Sequence, residues 1–216
     1  MLAGGIGLIR PRDSLGDNRT IAAFDDALAA VGESVGLILD LRDTPSGGNT
    51  TVARAIMSRL VAADAAYQKH EAPWEERRFG VRRSWLELVA PRGPATYEEP
   101  VVILVDRWTA SMGEGLAVGL DGLGRATVVG TRMAGLLGGT RAYTLPHSGI
   151  VCRFPCEKTF HVDGTPRAEW RPDVFIDLAE VQAGDDLPPD ERSVAGDDPI
   201  LAAGLRVLEA AMTVPR

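Results

Sequence analysis

Near-continuous apolar runs alternate with amphipathic segments over most of the chain. The apolar runs predict strands that are covered on both faces, because a strand with one solvent face would alternate apolar and polar residues. These runs are residues 5–10, 35–42, 100–105 and 126–130. Other segments repeat apolar residues every three or four positions, which predicts helices over residues 20–31, 50–61 and 112–123. The pattern indicates one α/β core.

Residues 65–98 break this regularity. They contain Trp74, Trp85, three prolines and a charged cluster at 75–78. The composition predicts an excursion or lid over a cleft, with a short helix near 83–89; a plain surface loop is the alternative. Three short antiparallel strands are predicted after the core helices, at residues 140–145, 150–154 and 158–162.

The chain divides at about residue 178 into a core, residues 1–178, and a tail, residues 179–216. The tail begins as an acidic connection and ends in a helix predicted over 199–212, which starts after Asp198 and Pro199. The apolar stripe of this helix consists of Ile200, Leu201, Leu205, Leu208 and Met212. Such a stripe packs against a partner surface, so a homo-oligomer formed through this helix is one expectation.

Composition narrows the classes of function. The chain is 45% hydrophobic and 25% charged, with a net charge of −7 and a pI near 5.0, which argues against nucleic acid as a partner. No run approaches the length of a membrane span, and the first ten residues lack a signal-peptide pattern, which leaves the compartment open. Cys152 and Cys156 are too far apart on an extended strand for a disulfide. With three histidines and no CxxC pair, no metal or other cofactor is expected.

Two strand-to-turn signals carry candidate chemistry. The apolar run that ends at Val105 leads into DRWTASMGEG, where Ser111 stands at the positive end of a small-residue helix. An earlier run continues as LDLRDTPSGGN, whose Gly47–Gly48 pair can turn backbone N–H groups outward. A nucleophile and an oxyanion hole are the two parts that an acyl-transfer enzyme needs. Each also has a plain structural interpretation: Ser111 with Glu114 as a helix capping box, and the glycines as a tight turn.

Three motifs, in this order, resemble the catalytic core of the tail-specific (C-terminal processing) serine proteases, whose relatives include the tricorn protease core. They read LILDLRDTPSGGN, VVILVDRWTASMGEGLAVGLDGLGRATVVGTRMAGLLGG and DGTPRAEWRPDVFID. The resemblance implies a fold similar to Clp protease and crotonase, a spiral of stacked ββα units. It also implies a serine-type peptidase that cleaves a peptide or protein substrate through an acyl-enzyme, without a cofactor. Members of this family are often exported.

The resemblance also assigns roles to single residues. Ser111 is the implied nucleophile. The Met112 amide and the Gly47–Gly48 turn, through the Gly48 N–H, form the implied oxyanion hole. Leu136 occupies the place of the family's general-base lysine, so a Ser–Lys dyad is excluded at that position.

The general base is the missing part of this assignment. The tricorn branch also lacks the lysine and uses a serine, a histidine and a glutamate, and Glu169 stands in the matching place of that glutamate. The histidine of that branch precedes the first core strand, so the base lies upstream of this chain, is replaced within it, or is absent. His147 is a better candidate from within the chain than His70 or His161, although none of the three lies in a motif.

Alternatives remain at both the residue and the protein level. Glu169 can equally be a solvated charge paired with Arg167 or Arg171. The chain can be a catalytically silent module that binds a peptide or a hydrophobic ligand on the same fold, which the missing lysine favours. A crotonase-like acyl-thioester enzyme shares the glycine oxyanion hole, but it needs a basic patch for nucleotide phosphates that the net charge does not favour.

Overall fold

The computed structural model describes residues 1–177 and 198–213. Its helices and strands are, in chain order, β1 (Gly7–Ile9), α1 (Arg19–Ala30), β2 (Leu37–Asp40), α2 (Thr50–Met57), β3 (Ala65–Glu71), α3 (Pro73–Phe79), β4 (Ser84–Val89), β5 (Val101–Val105), α4 (Met112–Gly122), β6 (Thr127–Gly130), β7 (Thr140–Thr144), β8 (Val151–Pro155), β9 (Lys158–Phe160), β10 (Val174–Phe175) and α5 (Pro199–Thr213). The predicted α/β core is confirmed, and the predicted strands and helices of the core are present to within a few residues.

A five-stranded parallel sheet forms the centre of the fold, in the order β1-β2-β5-β6-β10. All four residues of β2 and all five of β5 are buried. Because the carboxyl ends of parallel strands meet at one edge, the turns that follow β2 and β5 lie side by side. The two candidate turns of the sequence therefore meet at one edge of the sheet.

Helices cover both faces of this sheet. Ile103 and Val105 point into a core shared with α1, α2 and α4, whereas Val102 and Leu104 point into a second core that α5 completes. Gly204 allows close approach, since a β-carbon there would lie 2.6 Å from Leu104 Cδ2. The apolar stripe of α5 is thus occupied within its own chain, so the stripe alone does not indicate a second copy.

The predicted short helix near 83–89 is wrong, because this segment is strand β4. Together β4, β3 and β9 form an antiparallel sheet in that order. The segment alternates: Leu86 and Leu88 are exposed, whereas Trp85 and Val89 are partly or fully buried, which is the two-residue period of a strand. Residues 65–98 contain this hairpin with α3 at its tip, and β3 packs against α4.

Strands β7 and β8 form a separate two-stranded hairpin, most of whose residues are exposed. The Arg141 guanidinium lies 4.3 Å from the Trp74 ring centroid, which joins the hairpin to α3. Cys152 and Cys156 are both free thiols, as the sequence predicts. Within residues 1–177 and 198–213, no helix is long and apolar enough to span a membrane.

Candidate active site

Ser111 lies in a strained conformation between β5 and α4. Its φ of 52° and ψ of −105° are unusual for a residue with a side chain, and such backbone strain costs about 1–3 kcal/mol. The turn that contains Ser111 is bonded to the residue after β2, because the Thr109 hydroxyl donates to the Leu41 carbonyl at 3.1 Å. The Asp106 N–H in turn donates to the Thr109 hydroxyl oxygen at 3.1 Å. Backbone strain of this kind concentrates at functional sites, where neighbouring contacts stabilise it.

The glycine bend contacts the serine directly. Gly47 has a φ of +66°, and a β-carbon built on it would lie 2.5 Å from Ser111 Cβ and 3.1 Å from Ser111 Oγ. The two turns are also joined by the Ala110 N–H, which donates to the Thr44 carbonyl at 3.3 Å. Only glycine fits at position 47 without displacing the serine side chain. The structure therefore brings Ser111 and the Gly47–Gly48 bend together.

Two backbone N–H groups at this place have no hydrogen-bond acceptor among the described residues. They belong to Gly48 and Met112. The Gly47 N–H differs, because it donates to the Thr44 carbonyl at 3.3 Å. Met112 is the first residue of α4, where backbone N–H groups lack an intrahelical acceptor and attract negative charge. Of the two glycines, Gly48 is thus the one whose backbone N–H has no acceptor among the described residues.

Gly48 is held in place by the segment before α1. A β-carbon at Gly48 would collide with the backbone carbonyl carbon of Leu15, so no side chain fits there. Leu15 also bonds to the residues on either side of Gly48. Its N–H donates to the Gly47 carbonyl at 2.6 Å, and its carbonyl accepts from the Asn49 N–H at 3.2 Å. The backbone of Leu15 therefore fixes the bend.

Glu114 is the buried carboxylate of the site. It is fully buried and accepts the Ser111 N–H at 2.7 Å, which is the glutamate half of the predicted capping box. The same carboxylate accepts the N–H groups of Gly135 and Leu136 at 2.8 and 3.1 Å. Arg167, which is 5% exposed, lies 3.9 Å from it. Burial raises the pKa of Glu114, while Arg167 and the three N–H groups oppose that rise.

Arg167 is a site residue that the sequence analysis did not assign to the serine turn. Its guanidinium donates to the Leu136 carbonyl at 2.7 and 3.0 Å and to the Ser111 carbonyl at 3.3 Å. Burial lowers the pKa of Arg167, against the opposing effect of Glu114. Glu114 could be anticipated from its position three residues after the serine. A buried arginine has no comparable sequence signal, since arginine is usually exposed.

Leu136 and Glu169 both lie in segments that reach the serine turn. The backbone of Leu136 bonds to Glu114 and Arg167, while its side chain is 45% exposed. Glu169 is exposed, two residues after Arg167, and within the described residues it makes no hydrogen bond to Ser111. Its role as an orienting carboxylate stays a prediction.

None of the three histidines is hydrogen-bonded to Ser111. His147 is exposed in the turn between β7 and β8. His161 lies at the far end of α4, where its Nε2 is 3.3 Å from Asp121. His70 is 7% exposed on β3, with Nδ1 3.6 Å from a Glu157 carboxylate oxygen and the ring stacked on Trp85. Burial lowers the pKa of His70.

A small cleft opens beside Glu114 and Arg167. Its volume is about 220 Å³, and it is lined by Glu114, Arg132, Met133, Ala134, Gly135, Arg167, Ala168 and Trp170. Two larger clefts, of about 340 and 350 Å³, lie around Arg125 near the opposite end of α4, away from Ser111. Among the described residues, no group of three or more histidine, cysteine or acidic side chains is arranged to hold a metal ion.

Several solved structures share this fold. A peptidase-like protein of Parabacteroides merdae ATCC 43184 superposes with a TM-score of 0.74 at 20% identity, covering 96% of this chain and 62% of that one. The photosystem II D1 C-terminal processing protease gives 0.60 at 22% identity, covering 90% and 47%. The tricorn protease gives 0.57 at 20% identity, covering 96% and 18%. The chain thus spans less than two thirds of each of these proteins. No curated protein sequence matches it.

The α/β core, with a strained serine at a helix N-terminus beside a glycine bend, has the fold of these peptidase structures. The model of peptidase family S41 matches residues 5–175, and the chain therefore belongs to peptidase family S41. The resemblance to the tail-specific proteases is confirmed by this match and by the processing and tricorn proteases among the structural neighbours.

Proposed function

We propose that this chain is a serine-type peptidase domain that cleaves a peptide or protein substrate through an acyl-enzyme on Ser111. The observation that carries the proposal is the contact between Ser111 and the Gly47 backbone, 2.5 Å from Ser111 Cβ to the position of a Gly47 β-carbon. This contact supports a hydroxyl nucleophile and an oxyanion hole in one place.

In the proposed reaction, the Ser111 hydroxyl attacks the scissile carbonyl carbon and its proton passes to a base. The base returns this proton to the departing amine as the peptide C–N bond breaks, and water then hydrolyses the acyl-enzyme. The developing oxyanion accepts hydrogen bonds from Gly48 and Met112 N–H, which have no other acceptor among the described residues. Each such donor contributes about 3–4 kcal/mol to transition-state stabilisation in sites of this kind. Glu169 orients the base, from a segment that Arg167 fixes beside the serine turn.

Labelling with a fluorophosphonate probe tests the proposal, because the probe reacts with activated serine hydroxyls. We expect one adduct per chain, mapped by mass spectrometry to Ser111 and lost in Ser111→Ala. Ser46→Ala is the matched control, since Ser46 is an exposed hydroxyl on the glycine bend that donates to Asp13. An adduct that persists in Ser111→Ala, or a folded protein that takes up no probe, contradicts the proposal. Hydrolysis of a fluorogenic peptide library by the wild type then tests peptide-bond cleavage.

A second candidate function is a catalytically silent module that binds a peptide or a hydrophobic ligand. The observation that favours it is Leu136, an apolar and partly exposed side chain where relatives of the family carry the base. Within the described residues no histidine is bonded to Ser111 either. This candidate predicts that wild type and Ser111→Ala bind the same peptides with equal affinity, measured by fluorescence anisotropy, while neither protein reacts with the probe.

A further inference from the structure

One buried ion pair holds both ends of the strained Ser111 backbone. Glu114 accepts the Ser111 N–H, and Arg167 donates to the Ser111 carbonyl. We propose that Glu114 and Arg167 form a clasp that positions the Ser111 hydroxyl and couples it to the backbone at Gly135 and Leu136. The two are positioning residues, and this proposal rests on the proposed function.

The contacts of the clasp all run between the serine turn and residues 135–136. Glu114 receives three backbone N–H groups, from Ser111 at 2.7 Å, from Gly135 at 2.8 Å and from Leu136 at 3.1 Å. Arg167 donates to the carbonyls of Leu136 and Ser111 at 2.7 and 3.3 Å. Each member of the pair therefore touches both segments. Hydrogen bonds to ionised groups are the stronger kind in proteins.

The pair is poorly suited to a purely stabilising role. Glu114 is fully buried and Arg167 is 5% exposed, yet their closest atoms are 3.9 Å apart. Removing two charges from water costs free energy that a contact of this length recovers only in part, and apolar residues of similar size often serve stability better. The pKa of Glu114 is raised and that of Arg167 is lowered, because burial outweighs the partner for both groups and disfavours both charges. The pair fixes backbone geometry, and the strained φ of Ser111 is the geometry that needs fixing.

The clasp also explains how position 136 is tied to the nucleophile. Leu136 donates its N–H to Glu114 and accepts from Arg167, so both polar groups of its backbone are used. Only the side chain at position 136 takes no part in these hydrogen bonds, so it can be substituted without removing them. A side chain at this position therefore starts from a fixed point beside Ser111, whatever its chemistry.

Amide hydrogen exchange tests the coupling without requiring catalysis. We expect Glu114→Ala and Arg167→Ala each to speed exchange in both segments, residues 108–115 and 132–138, relative to the wild type. The matched control is Arg92→Ala, because Arg92 likewise pairs with a carboxylate, Asp25 at 2.8 Å, and donates to the Ala55 carbonyl at 2.9 Å. A change in only one of the two segments, or an equal change in Arg92→Ala, overturns the coupling.

Probe labelling tests the positioning. We expect the labelling rate of Ser111 to fall by about tenfold or more in Glu114→Ala and Arg167→Ala, since a displacement of 1 Å at a reacting group can cost about 100-fold. Glu114→Gln keeps one acceptor oxygen and should lie between wild type and alanine. Arg167→Lys loses the forked geometry and should resemble Arg167→Ala. These two conservative variants also serve if an alanine variant fails to fold.

The outcomes separate this proposal from the proposed function. Faster exchange in both segments with an unchanged labelling rate overturns the positioning role, although the contacts exist. A wild-type Ser111 that takes up no probe contradicts the proposed function alone, because the exchange measurement still decides whether the clasp joins the two segments. Arg92→Ala is expected to label at the wild-type rate even if its thermal stability falls.

Discussion

The replacement of Gly47 by alanine is the most direct perturbation of the site. The added methyl group would lie 2.5 Å from Ser111 Cβ, 3.1 Å from Ser111 Oγ and 3.4 Å from the Ala110 carbonyl oxygen. Neither Ser111 Cβ nor the carbonyl can move without moving backbone. The φ of +66° costs a non-glycine residue about 1–2 kcal/mol, and overpacking of this kind costs about 1–3 kcal/mol.

Gly47→Ala should therefore lower the free energy of unfolding by about 2–5 kcal/mol. For a chain of this size, this corresponds to a fall in melting temperature of about 4–20 °C. Gly80→Ala is the matched control, because Gly80 has a φ of +70° with no atom within 4 Å of an added β-carbon. Gly80→Ala should carry only the cost of the positive φ, which corresponds to a fall in melting temperature of about 2–8 °C.

The assay combines thermal unfolding with the rate of fluorophosphonate labelling at Ser111. We expect Gly47→Ala to label at least about tenfold more slowly than the wild type, since the methyl group displaces the nucleophile from the oxyanion donors. Gly80→Ala should label at the wild-type rate. If Gly47→Ala labels normally and melts no lower than Gly80→Ala, the contact between Ser111 and the glycine bend is wrong, and the proposed function loses its main support.

Three further predictions follow from single contacts. Leu136→Lys should raise labelling and peptide hydrolysis by about 100-fold or more, because it adds an amine that can serve as the general base; no gain in a folded variant contradicts a site-facing side chain at 136. Glu114 has a raised pKa, so above about pH 4.5 the native state keeps a proton that the unfolded state has lost. Stability therefore falls as pH rises through that window; urea titrations of wild type and Glu114→Gln should diverge there, and parallel curves contradict the raised pKa. Asp198 caps α5 and accepts from Arg42 at 2.8 Å, so Asp198→Ala should melt about 2–8 °C lower with unchanged labelling, which calorimetry and the probe assay check.

The strands of the central sheet are the part of the fold that the sequence predicts best. Runs such as 101–105 are apolar at every position because helices cover both faces, and their short length and β-branched residues favour a strand over a buried helix. Strand β4 was missed for the opposite reason. Its inner face carries Glu87 between Trp85 and Val89, while Leu86 and Leu88 are exposed. Apolar residues are therefore not confined to one face, and the alternation that marks a half-buried strand is absent from the sequence. The position of β4 is fixed by pairing with β3, which is a long-range contact.

The site was predictable where it consists of backbone and unpredictable where it depends on side chains from distant segments. Ser111 and Gly47 follow adjacent strands, and the ends of adjacent parallel strands must meet. Arg167 comes from a loop 56 residues after Ser111, and nothing in its local sequence distinguishes it from a solvated arginine. Glu114 was anticipated as a capping residue, but its bonds to Gly135 and Leu136 require the tertiary fold.

The two halves of this site are subject to different constraints. The Ser111 turn and the glycine bend are built from backbone that is buried or strained, so changes at Gly47 or Glu114 should affect both folding and the proposed chemistry. The residue at position 136 contributes its backbone to the same framework, but its side chain is 45% exposed and contributes little to stability. A change of side chain at position 136 is therefore compatible with the fold and with the contact between Ser111 and the glycine bend. For this reason an intact Ser111 turn and an absent lysine are physically compatible, and substitutions at 136 should change rate without changing stability.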